Sequence, residues 1–235
     1  NLLEDDSLAP PRMILVYADD CYHPPPDTFA DRALRKLGLE YTAHYDGDFE
    51  GFAASLTTQE WDLVIFAGER FEPPPAVLDC LERHVALGGR LILSSQGVRL
   101  LAGHPLWQAL GIRWLADDHD PPASVAWSPA GRQVLQEPET LPEFSRLRGG
   151  RYATCGQRVE VLPGSESWAQ PGDTPGDDAS SNLVLGSEGR TVFKGFADGP
   201  TDADLDADGI LDGVELWTNL VVGIQSDFVR HVPWL

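Results

Sequence analysis

Strand-length runs alternate with amphipathic segments along the first half of the chain. Three mostly apolar runs cover residues 13–17, 62–67 and 90–93, and a more polar strand-length run covers residues 40–45. Between them apolar residues recur at helical spacing, with Thr28 and Pro75 as helix starts and Gly38 and Gly88 as helix ends. Apolar strands joined by helices are typical of parallel sheets covered on both faces. The pattern therefore predicts an α/β fold with an open, mostly parallel, doubly wound sheet.

The composition changes in the second half, where Pro, Gly, Asp and Ser become frequent. Short strand-like pieces at 124–127 and 158–162 predict an irregular, β-rich insertion rather than further helices. A hairpin formed by residues 183–185 and 191–196 and a closing helix follow. We expect one domain over residues 12–224, with the insertion at 116–181, a loop and closing helix at 202–224, and tails at 1–11 and 225–235.

The most specific motif is an acidic loop, DLDADGILDGVE, at residues 204–215. Calcium loops place oxygen ligands at positions 1, 3, 5, 7, 9 and 12, with a Gly at position 6 for the sharp turn. Gly209 occupies position 6 here. The ligand positions are filled by Asp204, Asp206, Asp208, the Ile210 carbonyl, Asp212 and Glu215. The spacing predicts one bound Ca²⁺.

The segment before this loop contains Gly and Pro, so the entering helix of an EF-hand is missing. The loop resembles those of thrombospondin type 3 repeats and dockerins, although those occur in several copies and this chain has one. The resemblance implies Ca²⁺ as the cofactor. A solvated acidic turn is the alternative interpretation.

A second acidic cluster lies at Asp46, Asp48 and Glu50, directly before Gly51. It matches only the first half of a calcium loop, because Ala54 and Thr57 would occupy the later ligand positions. A polar turn is the other interpretation.

The net charge limits the partners. The chain has 37 acidic residues against 17 Lys and Arg, which gives a formal charge of −20. Such a surface repels phosphates and predicts no nucleic-acid partner. No apolar run approaches the roughly 20 residues that cross a bilayer, so we expect no membrane span.

Three cysteines are too few for a disulfide-dense scaffold. Cys80 falls within a predicted helix, so Cys21 and Cys155 are the better pair if a disulfide exists. Single calcium loops usually bind weakly and fill where the ion is abundant. We therefore expect an exported protein, extracellular or periplasmic.

Polar residues follow three of the predicted strands, where an open parallel sheet binds its ligands. They are Asp19, Asp20, His23, Glu69, Ser94 and Ser95. A phosphoacceptor domain would need an Asp where Gly68 stands. A nucleotide site would need a Gly-rich loop in place of the sequence DDCYHPPP. Both classes are disfavoured.

The segments WDLVIFAG, LGGRLILSS and GRTVFKGFADG resemble class I glutamine amidotransferase-like domains, including their ThuA-like relatives, over roughly residues 12–224. The resemblance implies a flavodoxin-like α/β fold. Active amidotransferases carry a Cys in a sharp turn after the strand, and residues 93–97 read LSSQG here. The resemblance thus implies the fold without the thiol chemistry. Ser95 with His104 would make a serine version.

Two functions follow as hypotheses. The first is an exported, calcium-stabilised, non-catalytic binding or interaction domain, alone or inside a larger protein, whose partner is another protein or a carbohydrate. The alternative is a secreted hydrolase acting on a small polar or carbohydrate substrate through the serine at the end of the fourth strand.

Overall fold

The computed structural model describes residues 13–20, 23–95, 98–118, 125–142, 156–171, 180–186, 189–198 and 203–230. Within these residues the strands are Ile14–Asp19 (β1), Thr42–Tyr45 (β2), Leu63–Gly68 (β3), Arg90–Ser95 (β4), Ile112–Asp118 (β5), Val125–Trp127 (β6), Gly156–Val161 (β7), Glu166–Pro171 (β8), Leu183–Leu185 (β9) and Thr191–Lys194 (β10). The α-helices are Phe29–Lys36 (α1), Phe49–Thr58 (α2), Pro75–Ala86 (α3), Pro105–Ala109 (α4), Pro129–Val134 (α5) and Asp212–Arg230 (α6), and Val98–Leu101 forms a 3-10 turn.

Eight strands form one sheet in the order β2-β1-β3-β4-β10-β9-β8-β6. The first five run parallel, and β9, β8 and β6 pair antiparallel at one edge. This confirms the predicted open, mostly parallel sheet. The predicted hairpin is also present, since β9 pairs antiparallel with β10.

The central strands are buried on both faces, which explains their continuous apolar sequences. In β1, Val16 faces a core shared with α1 and α6, while Leu15 and Tyr17 face a second core shared with α2 and α3. Strands β3 and β4 alternate in the same way. Helices therefore cover both faces, as the doubly wound prediction requires.

The predicted insertion is more regular than expected in its described part. Strands β6 and β8 extend the main sheet beyond β9, and β5 pairs with β7 as a separate two-stranded sheet. The extension gives β9 a second hydrogen-bonded neighbour, β8, on the side away from β10.

The closing helix α6 packs Leu216, Trp217, Leu220 and Ile224 into the core beside α1. It begins within the acidic loop and continues past residue 224, its predicted end. Among the described helices, none combines the length and apolar character needed to cross a membrane.

The order of strands reverses between β1 and β3, because β2 lies on one side of β1 and β3 on the other. Open α/β sheets form a crevice beyond the carboxyl ends of the strands at such a point. Asp19 and Gly68 are paired there at the ends of β1 and β3. The fold thus brings the predicted strand-end residues to the usual ligand position.

Candidate functional site

The acidic loop folds around its own carboxylates. Asp204 accepts hydrogen bonds from the amides of Asp208 at 3.1 Å and Gly209 at 3.0 Å, and Asp208 accepts from the Ile210 amide at 2.7 Å. Gly209 has a φ of +95°, the left-handed backbone that favours glycine. Carboxylate oxygens of Asp204, Asp206 and Asp208 all lie within 4.8 Å of one another. The loop therefore concentrates negative charge at its centre.

Two further acids of the motif are buried in the first turn of α6. Asp212 is 0% exposed and Glu215 is 1% exposed. One oxygen of Asp212 accepts from the Leu205 amide at 3.0 Å, whereas Asp212 Oδ2 and Glu215 Oε2 have no hydrogen-bond partner. A buried carboxylate oxygen without a partner is costly. These two atoms are the clearest sign that a further group belongs in the loop.

The electrostatics agree with this geometry. Burial, together with the negative charges of Asp206 and Asp208, raises the pKa of Glu215 to about 8. Burial also raises the pKa of Asp212. A nearby cation would stabilise both charged forms.

The structure groups Asp204, Asp206 and Asp208 of the loop, and it adds an acid that the loop spacing did not indicate. Glu139, between α5 and β7, brings its carboxylate within 4.8 Å of those of Asp208 and Glu215. Nothing in its local sequence marks it as a ligand, because only the tertiary fold places it against the loop. A signal from spacing could not have found it.

At the strand ends, Asp19 joins β1 to β3. Its carboxylate accepts from the Tyr17 hydroxyl at 2.6 Å and from the amides of Glu69 and Arg70, the latter at 2.6 Å. Burial raises the pKa of Asp19, although these three donors partly oppose the rise. Asp19 therefore shapes the crevice and has few free acceptor positions for a ligand.

Asp20 and His23 form a second buried pair at this edge. Asp20 Oδ2 lies 2.9 Å from His23 Nδ1, and the His23 ring packs against Phe29 with ring centres 4.4 Å apart. The pair lies directly after β1.

Sequence reasoning missed a charged group at the end of β10. Lys194 is fully buried, and its ammonium lies 2.6 Å from Asp198 Oδ1 and 3.4 Å from Ser94 Oγ. The Asp198 amide in turn donates to Glu69, and Trp217 Nε1 donates to Asp198 Oδ2 at 2.8 Å. The available signal was a lysine that ends an apolar strand at the same edge of the sheet.

This group contains more acid than base. The negative charge of Asp20 raises the pKa values of Glu69 and Asp198, whereas the positive charge of Lys194 lowers them. Burial raises the pKa of Glu69 well above its usual value and raises that of Asp198 in the same direction. The strand-end site is therefore acidic, lined by carboxylates and a single described lysine.

The alternative pairing of Ser95 with His104 is not the arrangement in the structure. His104 Nδ1 accepts from the Leu106 amide at 3.1 Å and caps α4, while His104 Nε2 lies 3.2 Å from Asp79 Oδ1. Both ring nitrogens are thus engaged away from Ser95, which is buried at the end of β4.

The second acidic cluster forms a polar turn. Asp48 caps α2 by accepting from the Gly51 amide at 3.0 Å and lies 2.7 Å from His44 Nδ1, which lowers its pKa. Asp46 lies 3.3 Å from an Arg70 guanidinium nitrogen. These partners explain the cluster without a metal.

The proposed disulfide partners Cys21 and Cys155 lie outside the described residues. Among the described residues, Cys80 on α3 is a free thiol. The disulfide stays a prediction.

Comparisons with known proteins bear on the fold. No protein-family model matches this sequence, and neither does any curated protein. Among solved structures, a ThuA-like protein from Parabacteroides merdae is 12% identical with a TM-score of 0.50, covering 96% of this chain and 94% of that one. A glutamine amidotransferase from Thermotoga maritima is 11% identical with a TM-score of 0.50, covering 93% and 96%.

An α-L-fucosidase from Paenibacillus thiaminolyticus gives a TM-score of 0.56 at 12% identity. The alignment covers 92% of this chain. This chain spans only 32% of the length of the fucosidase. At these identities the likeness concerns the fold alone. The chain therefore has the α/β fold of glutamine amidotransferase-like and ThuA-like proteins, as its sequence motifs imply.

Proposed function

We propose that this chain is an exported, calcium-stabilised binding domain built on an amidotransferase-like fold. The observation that carries the proposal is the pair of unpartnered oxygens, Asp212 Oδ2 and Glu215 Oε2, buried beside the acidic loop. A cation between them and the loop carboxylates supplies the missing partner.

Calcium suits this set of donors better than other common metals. The motif offers carboxylates and a backbone carbonyl, and it contains no His or Cys. Zinc and copper sites usually include nitrogen or sulfur, whereas Ca²⁺ takes six to eight oxygens in flexible geometry. Mg²⁺ usually retains several waters and is poorly matched to a loop with this many protein oxygens.

The compartment follows from the expected affinity. A single loop without a paired partner binds at the weak end of the calcium range, where only an environment rich in the ion keeps it filled. An extracellular or periplasmic location supplies that ion.

The binding role rests on the strand-end crevice. Asp20, Glu69 and Asp198 lie with the buried Lys194 at the point where this class of sheet binds ligands, and the group carries more acid than base. Such a site favours hydroxyl or ammonium donors, as on a carbohydrate or a protein side chain. The same carboxylates oppose an oxyanion, so the site binds rather than cleaves.

Calorimetric titration of the chelator-treated protein with CaCl₂ tests the calcium site. We expect one binding event, weakened roughly 100-fold or more by Glu215→Gln because a bidentate carboxylate becomes one neutral oxygen. Glu72→Gln, the same change at an exposed acid away from the loop, should bind like the parent. Absence of binding by the parent would contradict the proposal.

An activity assay tests the proposal that the chain binds without catalysing a reaction. Esterase or amidase turnover by the purified protein that disappears in Ser95→Ala would contradict it and favour the hydrolase. We expect no difference between the parent and this variant.

A further inference from the structure

We infer that Glu139 is an additional ligand of the calcium site, so that the ion joins the inserted segment to the closing helix. This inference rests on the proposed calcium binding. Its basis is the convergence of Glu139, Asp208 and Glu215, whose carboxylate oxygens lie within 4.8 Å of one another. These residues come from three separate parts of the chain: the segment after α5, the loop and the first turn of α6.

The convergence needs a cation to be favourable. Glu215 is buried, its Oε2 has no hydrogen-bond partner, and carboxylate oxygens of Glu139 and Asp208 lie within 4.8 Å of its carboxylate. Like charges at this separation repel strongly where water is excluded. A divalent ion among the three carboxylates turns that repulsion into attraction.

The backbone of Glu139 is fixed by α6. Asn219 Oδ1 accepts from the Glu139 amide at 3.0 Å, and Asn219 Nδ2 donates to the carbonyls of Glu139 at 2.9 Å and Leu135 at 3.1 Å. Asn219 is buried and lies one helical turn beyond Glu215. These hydrogen bonds hold the Glu139 backbone against α6, one turn from Glu215.

An ion pair with Lys36 is the competing explanation for the position of Glu139. Lys36 Nζ lies 3.2 Å from Glu139 Oε1, and both side chains are partly exposed. Partly exposed pairs of this kind contribute little, typically up to about 1 kcal/mol. Since a carboxylate has two oxygens, the ion pair and a metal bond are compatible.

Calcium affinity in such loops rises with the number of charged ligands. Glu139 adds one carboxylate to the loop's own set. We therefore expect the ion to bind more tightly than the loop alone would allow, and to stabilise residues 135–139 together with α6.

Calorimetry on matched variants of the full chain tests this inference, with CaCl₂ as the titrant. Glu139→Gln should raise the Kd about 10-fold or more, as expected for a lost charged ligand. Glu137→Gln, an exposed acid two residues away, should stay within about 2-fold of the parent. Lys36→Met should bind calcium at least as tightly as the parent, because it removes a competing cation.

Three outcomes are distinguishable. If the parent binds calcium and Glu139→Gln binds equally well, this inference fails and the proposed function stands. If Lys36→Met weakens binding as much as Glu139→Gln, the ion pair explains the effect and ligation by Glu139 is wrong. If the parent does not bind, the proposed function fails and this inference with it.

Hydrogen exchange on the unmodified protein gives a second test that needs no variant. Adding calcium should slow amide exchange in residues 135–142 as well as in 204–220, while α2 on the opposite face serves as the internal control. Protection confined to 204–220 would overturn the inference.

Discussion

Individual carboxylates in this protein differ sharply in what surrounds them. Asp48 lies on the surface with a histidine and a backbone donor, and its pKa is lowered. Glu69 is half-buried beside Asp198, and its desolvation raises its pKa well above the usual value. The partners and the burial of a carboxylate thus determine whether its ionised form is favoured, as for Asp48, or disfavoured, as for Glu69.

The raised pKa of Glu69 predicts that the stability of the fold depends on pH. Because its folded pKa is raised, the folded chain holds its proton more tightly than the unfolded chain, and stability falls as pH rises from about 4.5 toward the folded pKa. Urea unfolding in EDTA should show this fall, with a slope reduced by up to about 1.4 kcal/mol per pH unit in Glu69→Gln. Asp198 and Glu215 leave a residual slope of the same sign. An identical slope in the parent and Glu69→Gln would contradict the assignment.

Helix α6 is the element that connects the two candidate sites. Its first turn carries Glu215 at the acidic loop, and Trp217 in the next positions donates to Asp198 at the strand ends. One turn beyond Glu215, Asn219 forms hydrogen bonds with the segment after α5. These hydrogen bonds connect α6 to residues 135–139 and to Asp198 at the strand ends.

Replacing Asn219 should show this connection directly. Asn219→Ala removes three hydrogen bonds between α6 and residues 135–139 and leaves buried backbone groups without partners. We expect a loss of about 2–4 kcal/mol in the free energy of unfolding, measured by urea titration. Thr218→Val, which removes only a hydrogen bond within the helix to Val214, should cost less. Equal losses would show that the connection contributes little.

Several elements were predictable from sequence because their signals are local. The apolar runs at β1, β3 and β4, the β9–β10 hairpin and the spaced acids of the loop each carry their own pattern. The strand-like pieces at 124–127 and 158–162 correspond to β6 and β7, whereas β8 was missed because it lies in a Pro- and Gly-rich region. Glu139, Lys194 and Asp198 were missed because their roles arise from neighbours that are distant in sequence.

At the scale of the whole molecule, the proposed calcium binding should stabilise a fold whose formal charge is −20. An ion that binds only the folded state adds about 2.7 kcal/mol at 100 times its Kd. For a chain of 235 residues this corresponds to a rise of about 5–10 °C in Tm. Calorimetric scans in EDTA and in excess calcium should differ by this amount, and Glu215→Gln should lose most of the difference. Superimposable scans for the parent would show that the loop does not stabilise the fold.

A crystal structure of the full chain grown in millimolar calcium tests the central claim most directly. The account predicts one ion with ligand distances of about 2.3–2.6 Å to Asp204, Asp206, Asp208, the Ile210 carbonyl and Glu215, with Asp212 bound directly or through water. It also predicts Glu139 in the same coordination shell. A loop that stays free of metal at that concentration, with Glu215 and Asp212 still buried, would contradict the account.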